Sequence, residues 1–266
     1  MTSFDAAAKF YDEEFTRSTI GRMQRKRVWT YLEKTMGDKP LRILEINGGT
    51  GEDAIWLAQQ GHDVTCTDIS PEMLAIAEQK AVHLSDDLGI HFKKLDVRKI
   101  HEFEMEDEFD VVFSNFGGLN CISPEDLKLF CSALPWLLAP SGRFIGVFLG
   151  KFCFWEYLYF TMKGDRKKAW RRQSKEAVMA NVSGVQIPTW YYHADEIREL
   201  NPKSELMGLK SVGSFIPPSY LQPFFDNKKG LLRALRNLEY ATDGINFLSS
   251  LADHFLVDLK FAAVKN

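Results

Sequence analysis

The 266-residue chain holds four cysteines, Cys66, Cys121, Cys131 and Cys153, and none is spaced as a metal ligand. Two fall in apolar strand or helix patterns, so reduced, mostly buried thiols and a cytoplasmic setting are expected. No apolar run is long enough for a membrane span, and residues 1–9 lack a basic region followed by an apolar segment, so secretion is not expected. There is no internal repeat and no low-complexity linker. A net charge of −3 and a pI near 6.1 lack the basic surplus of a nucleic-acid-binding domain. What remains, 45 % hydrophobic and 26 % charged residues, is globular usage that suits one α/β domain with elaborations.

Residues 41–54, LRILEINGGTGEDA, are the most informative stretch. Leu41, Ile43, Leu44 and Ile46 form a short apolar run that reads as a buried parallel strand, interrupted by Glu45 and followed by Asn47, Gly48, Gly49, Thr50 and Gly51. Ala54, Ile55, Leu57 and Ala58 then recur at helical spacing, so the strand enters a glycine turn that opens a helix. Such a turn receives a nucleotide-type cofactor, and charge distinguishes two classes. Glu45, Glu52 and Asp53 would repel the pyrophosphate of a dinucleotide, although acids in a first helical turn are also ordinary dipole partners. A ligand with an ammonium, a sulfonium and a ribose but no phosphate gains from the same carboxylates.

These residues resemble the first motif of the class I S-adenosylmethionine-dependent methyltransferases, acid-x-Gly-x-Gly-x-Gly, with Asn47 in place of the first glycine. Asn tolerates a left-handed backbone, so the turn is expected to survive. A second strand, 64–67, ends at Asp68, at the distance expected of a carboxylate that grips the ribose. Ser70 reads as an N-cap and Pro71 as the first helical residue before Met73. A third strand, 90–95, ends at Asp96, and a fourth, 109–113, at Ser114 and Asn115. The resemblance implies that Asp96 and Val97 meet the adenine and that Ser114 and Asn115 face the methionine part and the acceptor. Glu45, Asn47, Gly48, Gly49, Thr50, Gly51, Asp68, Ile69 and Met73 complete the implied cofactor set. It also implies a Rossmann-like sheet of seven strands in the order 3-2-1-4-5-7-6, with a helix at 124–138, a fifth strand at 143–149 after Pro140-Ser141-Gly142, and strands at 206–215 and 254–264.

Outside the 41–150 core, residues 4–15 and 22–35 read as helices, and 1–36 as a cover over the cleft. Tyr11-Asp12 resembles a pair in small-molecule members whose tyrosine closes over the cofactor; alternatively Phe10, Tyr11 and Phe15 simply pack the helix. Residues 150–181 and 217–251 read as lid insertions. Phe152, Phe154, Trp155, Tyr157, Leu158, Tyr159 and Phe160 are too dense for a solvated face, and a lid over the active site or a homodimer interface would bury them. Lys163, Arg166, Lys167, Lys168, Arg171, Arg172 and Lys175 are either a solvated face or an attractor for an anionic or carrier-bound acceptor. Residues 182–193 read as an exposed strand or hairpin, and 194–200 as a helix.

The expected reaction is methyl transfer from S-adenosylmethionine to a small acceptor, by O- or C-methylation of an aromatic or lipophilic intermediate. A base is needed only if the acceptor must lose a proton, and His193, then Glu156, are the candidates. Base methylation of nucleic acid is disfavoured because Ser114-Asn115-Phe116-Gly117 lacks the Asp/Asn-Pro-Pro-aromatic motif. The competing readings are a nicotinamide-dependent oxidoreductase and a non-catalytic cofactor-binding interaction protein.

Overall fold

The computed structural model describes residues 3–85 and 88–262. Its central sheet has seven strands: β1 Arg42–Ile46, β2 Asp63–Asp68, β3 Ile90–Lys94, β4 Phe109–Ser114, β5 Leu138–Leu149, β8 Ser204–Val212 and β9 His254–Phe261. Their order is β3-β2-β1-β4-β5-β9-β8, parallel as far as β5 and antiparallel at β9 and β8. This is the expected order, because β6 Val178–Val182 and β7 Val185–Thr189 stand apart as a hairpin.

Alternation along the strands builds a core on each face. Ile43, Val111, Phe113 and Ile145 pack beneath α2 Thr19–Met36 and α3 Glu52–Gln59, whereas Leu44, Ile46, Val112 and Phe144 pack beneath α5 Pro124–Leu137. The near-continuous apolar runs of the central strands follow from that double burial. Ser18 caps α2 by accepting from the Gly21 N–H at 2.9 Å, and Ser70 caps α4 Pro71–Leu84 by accepting from Met73.

Four boundaries differ from expectation. The first helix stops as α1 Ser3–Tyr11 and continues as one wider turn, Asp12–Thr16. Pro140-Ser141-Gly142 lies inside β5 as an irregularity, with Ser141 at φ 68°, rather than before it. β8 is displaced toward the N-terminus of its expected span, and β9 ends at Phe261, with positions 263–264 outside the described residues.

The remaining helices are α6 Phe154–Met162, α7 Arg166–Ala169, α8 Ala194–Glu199, α9 Gln222–Phe225 and α10 Lys229–Ala241. α6, α9 and α10 bury their apolar sides against one another: Trp155 meets Phe225, Tyr159 meets Tyr220, and Ile20, Ile216, Leu232 and Leu235 fill the space between. The two insertions therefore satisfy most of their aromatic demand as a lateral helical layer, and the residues lining the cleft include none from 150–179.

Candidate active site

The turn after β1 is shaped by what each position tolerates. Asn47, Gly49 and Gly51 take φ values of 58°, 56° and 76°, so Asn47 does adopt the left-handed conformation of the glycine it replaces. A Cβ on Gly48 would lie 2.5 Å from the Cys66 sulfur, and one on Gly51 would lie 2.6 Å from the Ala77 Cβ. At Gly49 the space is open, and this residue lines the cleft. Its N–H donates to Asp68 Oδ2 at 2.9 Å, while the Ser70 N–H donates to Asp68 Oδ1 at 2.8 Å. Burial pushes the Asp68 carboxyl up, and those donors only partly offset it.

Two further groups hold the turn. Thr50 Oγ1 donates to Asp12 at 2.6 Å, and Lys80 bridges Asp12 and Glu52, which fixes the N-terminal cover to the glycine turn. Below the turn, Asp53 accepts from Arg25, from Trp29 Nε1 at 2.6 Å and from Asn115 Nδ2 at 3.0 Å. Phe116, at φ 46°, places its ring edge-on to Phe15 and His254, with the Arg25 guanidinium 5.1 Å from its centre. Glu45 is fully buried with one oxygen unpaired; burial and then Asp53 push its carboxyl well above the ordinary range, against Arg25.

Beside the turn opens a cavity of about 650 Å³. Of the predicted cofactor residues, Tyr11, Asn47, Gly49, Asp68, Ile69, Met73, Asp96, Val97 and Asn115 line it. Glu45, Gly48, Thr50, Gly51 and Ser114 do not line it; they build the turn and the strand end behind it. Asp96 accepts from Arg98 at 2.8 and 2.6 Å and is lowered by that pairing. Burial pushes the Tyr11 phenol up to about 12.

The cover consists of α1 on one side, through Phe4 and Tyr11, and the β6–β7 hairpin on the other, through Val182, Ile187 and Thr189. Ser183 Oγ donates to Glu14 at 2.9 Å where the two meet. The Trp190 N–H donates to Asn120 O at 2.8 Å, and Asn120 Nδ2 donates back to Trp190 O at 2.6 Å, which anchors the hairpin's exit strand at the cleft floor. The hairpin, Cys121, Arg98 and the Arg25–Asp53 pair were not among the expected site residues.

Both candidate bases lie elsewhere. His193 is exposed and caps α8, its N–H donating to Glu196 at 2.6 Å. Glu156 is buried outside the cleft and accepts from Arg171 and Arg172, the latter also bound to Asp253. Burial pushes the Glu156 carboxyl up, but Arg172 and Arg171 more than reverse this and hold it low, which suits an ion-pair anchor rather than a base. Arg171 and Arg172 thus turn inward and are not part of a free cationic surface.

The donor set tests the cofactor. Among the described residues lining the cleft, Asp68, Asp96 and Asp126 are acidic and Arg98, already paired with Asp96, is the cation, a poor lining for phosphates. Carboxylates for hydroxyl and amino donors and an open backbone at Gly49 suit a cationic nucleoside.

A sheet of this order with a glycine turn after its first strand and acids closing the next two defines the Rossmann-like methyltransferase fold. Magnesium protoporphyrin IX methyltransferase of Synechocystis PCC 6803, solved with bound S-adenosylhomocysteine, matches at a TM-score of 0.58 with 16 % identity over 91 % of this chain and 84 % of that one. Residues 43–142 match the family of methyltransferase domains. The tRNA 5-carboxymethoxyuridine methyltransferase of Escherichia coli K12 is 29 % identical over 146 residues, 53 % of this chain and 48 % of that protein. The non-reducing polyketide synthase prhL of Penicillium brasilianum is 31 % identical over 137 residues, 48 % of this chain and 5 % of the synthase. The chain therefore spans about half, or far less, of the length of these two curated relatives.

Proposed function

We propose that this chain transfers a methyl group from S-adenosylmethionine to a small acceptor with an apolar body, at an oxygen or a carbon. The supporting observation is the two-sided cavity. One side carries Gly49, Asp68 and Asp96, and the other carries Leu149, Ile187, Pro188 and Trp190. When bound, the donor supplies an activated methyl. Asp68 would hold the ribose hydroxyls, Asp96 and Val97 the adenine, and Asn115, fixed by Asp53, the methionine end. Tyr11 and the hairpin exclude water and enclose the acceptor, so alignment does most of the work. With His193 and Glu156 outside the cleft, the reading favours acceptors that reach the site ionised or readily ionised, such as enols, phenols or carboxylates.

Titration calorimetry with S-adenosylmethionine and its demethylated product tests the cofactor half. Binding in the micromolar range that weakens about tenfold to a hundredfold in Asp68→Ala is expected for loss of charged hydrogen bonds. Absence of binding by both compounds overturns the reading. Labelled donor with a panel of enolic, phenolic and carboxylate compounds then tests the acceptor half.

A further inference from the structure

The helical layer beside the cleft is apolar on its outside as well as on its inside. On α6, Phe154, Leu158 and Met162 recur at helical spacing beside the inward Trp155 and Tyr159, and Phe154 and Met162 are 49 % and 79 % exposed. On α10, Leu231 and Leu238 are exposed one turn-face away from the buried Leu232 and Glu239. Phe224 and Phe247, 62 % and 70 % exposed, extend the apolar surface from α9 and from the turn after α10. The inner sides are committed: Glu239 accepts the N–H groups of Gly213, Ser214, Phe215 and Ile216, and the rings of Trp155 and Phe225 meet at 5.8 Å. Of the outer side chains, Phe224 also meets Phe225, with ring centres 5.0 Å apart.

The exposed charge on these segments is mostly positive. Arg166, Lys167, Lys228, Lys229, Arg233 and Arg236 are exposed on the same two segments. The acids of these segments are Glu156, Asp165, Asp226 and Glu239, and two of them, Glu156 and Glu239, are buried. This is a basic layer on a chain of net charge −3. No helix among the described residues is long and apolar enough to cross a membrane.

We propose that the outer side of α6, α9 and α10 is a docking surface for an anionic lipid bilayer, with Phe154, Leu158, Met162, Phe224 and Phe247 entering the interface and the lysines and arginines facing the headgroups. Apolar side chains beside basic ones on amphipathic helices are what interfacial binding requires. A second copy fits less well, since a symmetric pairing would set this basic layer against itself. Exposed rings spread over two helices and two turns suit a fluid surface, which adapts to them, better than a rigid partner, which must present a pocket for each.

The test is co-sedimentation of the full chain with vesicles of phosphatidylcholine mixed with phosphatidylglycerol, against phosphatidylcholine alone. Binding to the mixed vesicles alone, weakened by salt, is expected. Met162→Ser with Phe247→Ser, and separately Lys229→Glu with Arg233→Glu, should each weaken it by at least about tenfold. All four positions are exposed, and unchanged melting temperatures and donor binding would show that the variants fold. Equal binding to neutral vesicles, no binding, or unaltered binding by both variants overturns the proposal. Concentration-dependent self-association that the same substitutions abolish also overturns it, by assigning the face to a second copy.

Discussion

Asn115 Nδ2 donates to Asp53 Oδ2 at 3.0 Å, tying the end of β4 to the first turn of α3. Asp53 also receives Arg25 and Trp29, so one carboxylate joins the N-terminal cover, the glycine-turn helix and the residue that closes the fourth strand. Trp29 stacks on Trp56 with ring centres 4.7 Å apart and carries an optical reporter of this junction.

Replacing Asp53 with Asn leaves the buried Arg25 without its counter-charge. A loss of about 3–5 kcal/mol in unfolding free energy is expected, read from urea titration followed by tryptophan fluorescence. Donor affinity should fall in the same variant, because Asn115 loses the acceptor that orients it.

The left-handed backbone at Asn47 separates two substitutions. Asn47→Gly is expected to stay within about 1 kcal/mol of the parent in urea titration, since glycine adopts this conformation freely but gains unfolded-state entropy. Asn47→Val places a β-branched side chain there and should cost about 2–3 kcal/mol, with loss of donor binding.

Glu45 has its carboxyl raised by burial, so the folded state retains a proton that the unfolded chain releases. Stability should accordingly fall as pH rises from the ordinary carboxylate range towards the raised value, by up to about 1.4 kcal/mol per pH unit. Glu45→Gln, which mimics the neutral carboxyl, is expected to flatten that slope in urea titrations across pH.

Glu156 has the opposite sign. Its carboxyl is lowered by Arg172 and Arg171, so its contribution is present above the ordinary glutamate value of 4.5 and lost as pH falls through the depressed one. Glu156→Gln should cost about 3–5 kcal/mol at neutral pH by leaving Arg172 underpaired, and should shrink the acid-induced loss seen in the parent. Replacing His193 with Asn should leave donor binding unchanged, since its side chain lies on the surface.

The cofactor half of the site was legible because it is local. The strand, turn and acid of 42–51, and the strand-end acid Asp68 with the cap Ser70, declare themselves within a few residues of one another. The acceptor half is built from pairs far apart in the chain, such as Asn120 with Trp190, and no periodicity announces which strand-like segment will form a hairpin outside the sheet. Within the basic run, Arg171 and Arg172 differ from expectation for a related reason, while Lys163, Arg166, Lys167, Lys168 and Lys175 are exposed. A row of cations reads as a surface until the acids that neutralise it are placed, and Arg172 meets Asp253 across 81 residues. The dense aromatics at 152–160 are half-buried at most: Trp155 packs on Phe225 of the other insertion, Phe152 and Tyr157 pack on Trp170 of their own, and Phe154 stays exposed.

Glu14 and Ser183 meet across 169 residues, and this fixes when the cleft can be completed. During synthesis α1, the glycine turn, Asp68 and the strands through β5 all precede the hairpin that forms the opposite wall. A chain ending before the hairpin therefore has Gly49, Asp68 and Asp96 but only the α1 side of the cover. Enclosure of the cleft is thus a property of chain segments far apart in sequence rather than of the glycine turn itself.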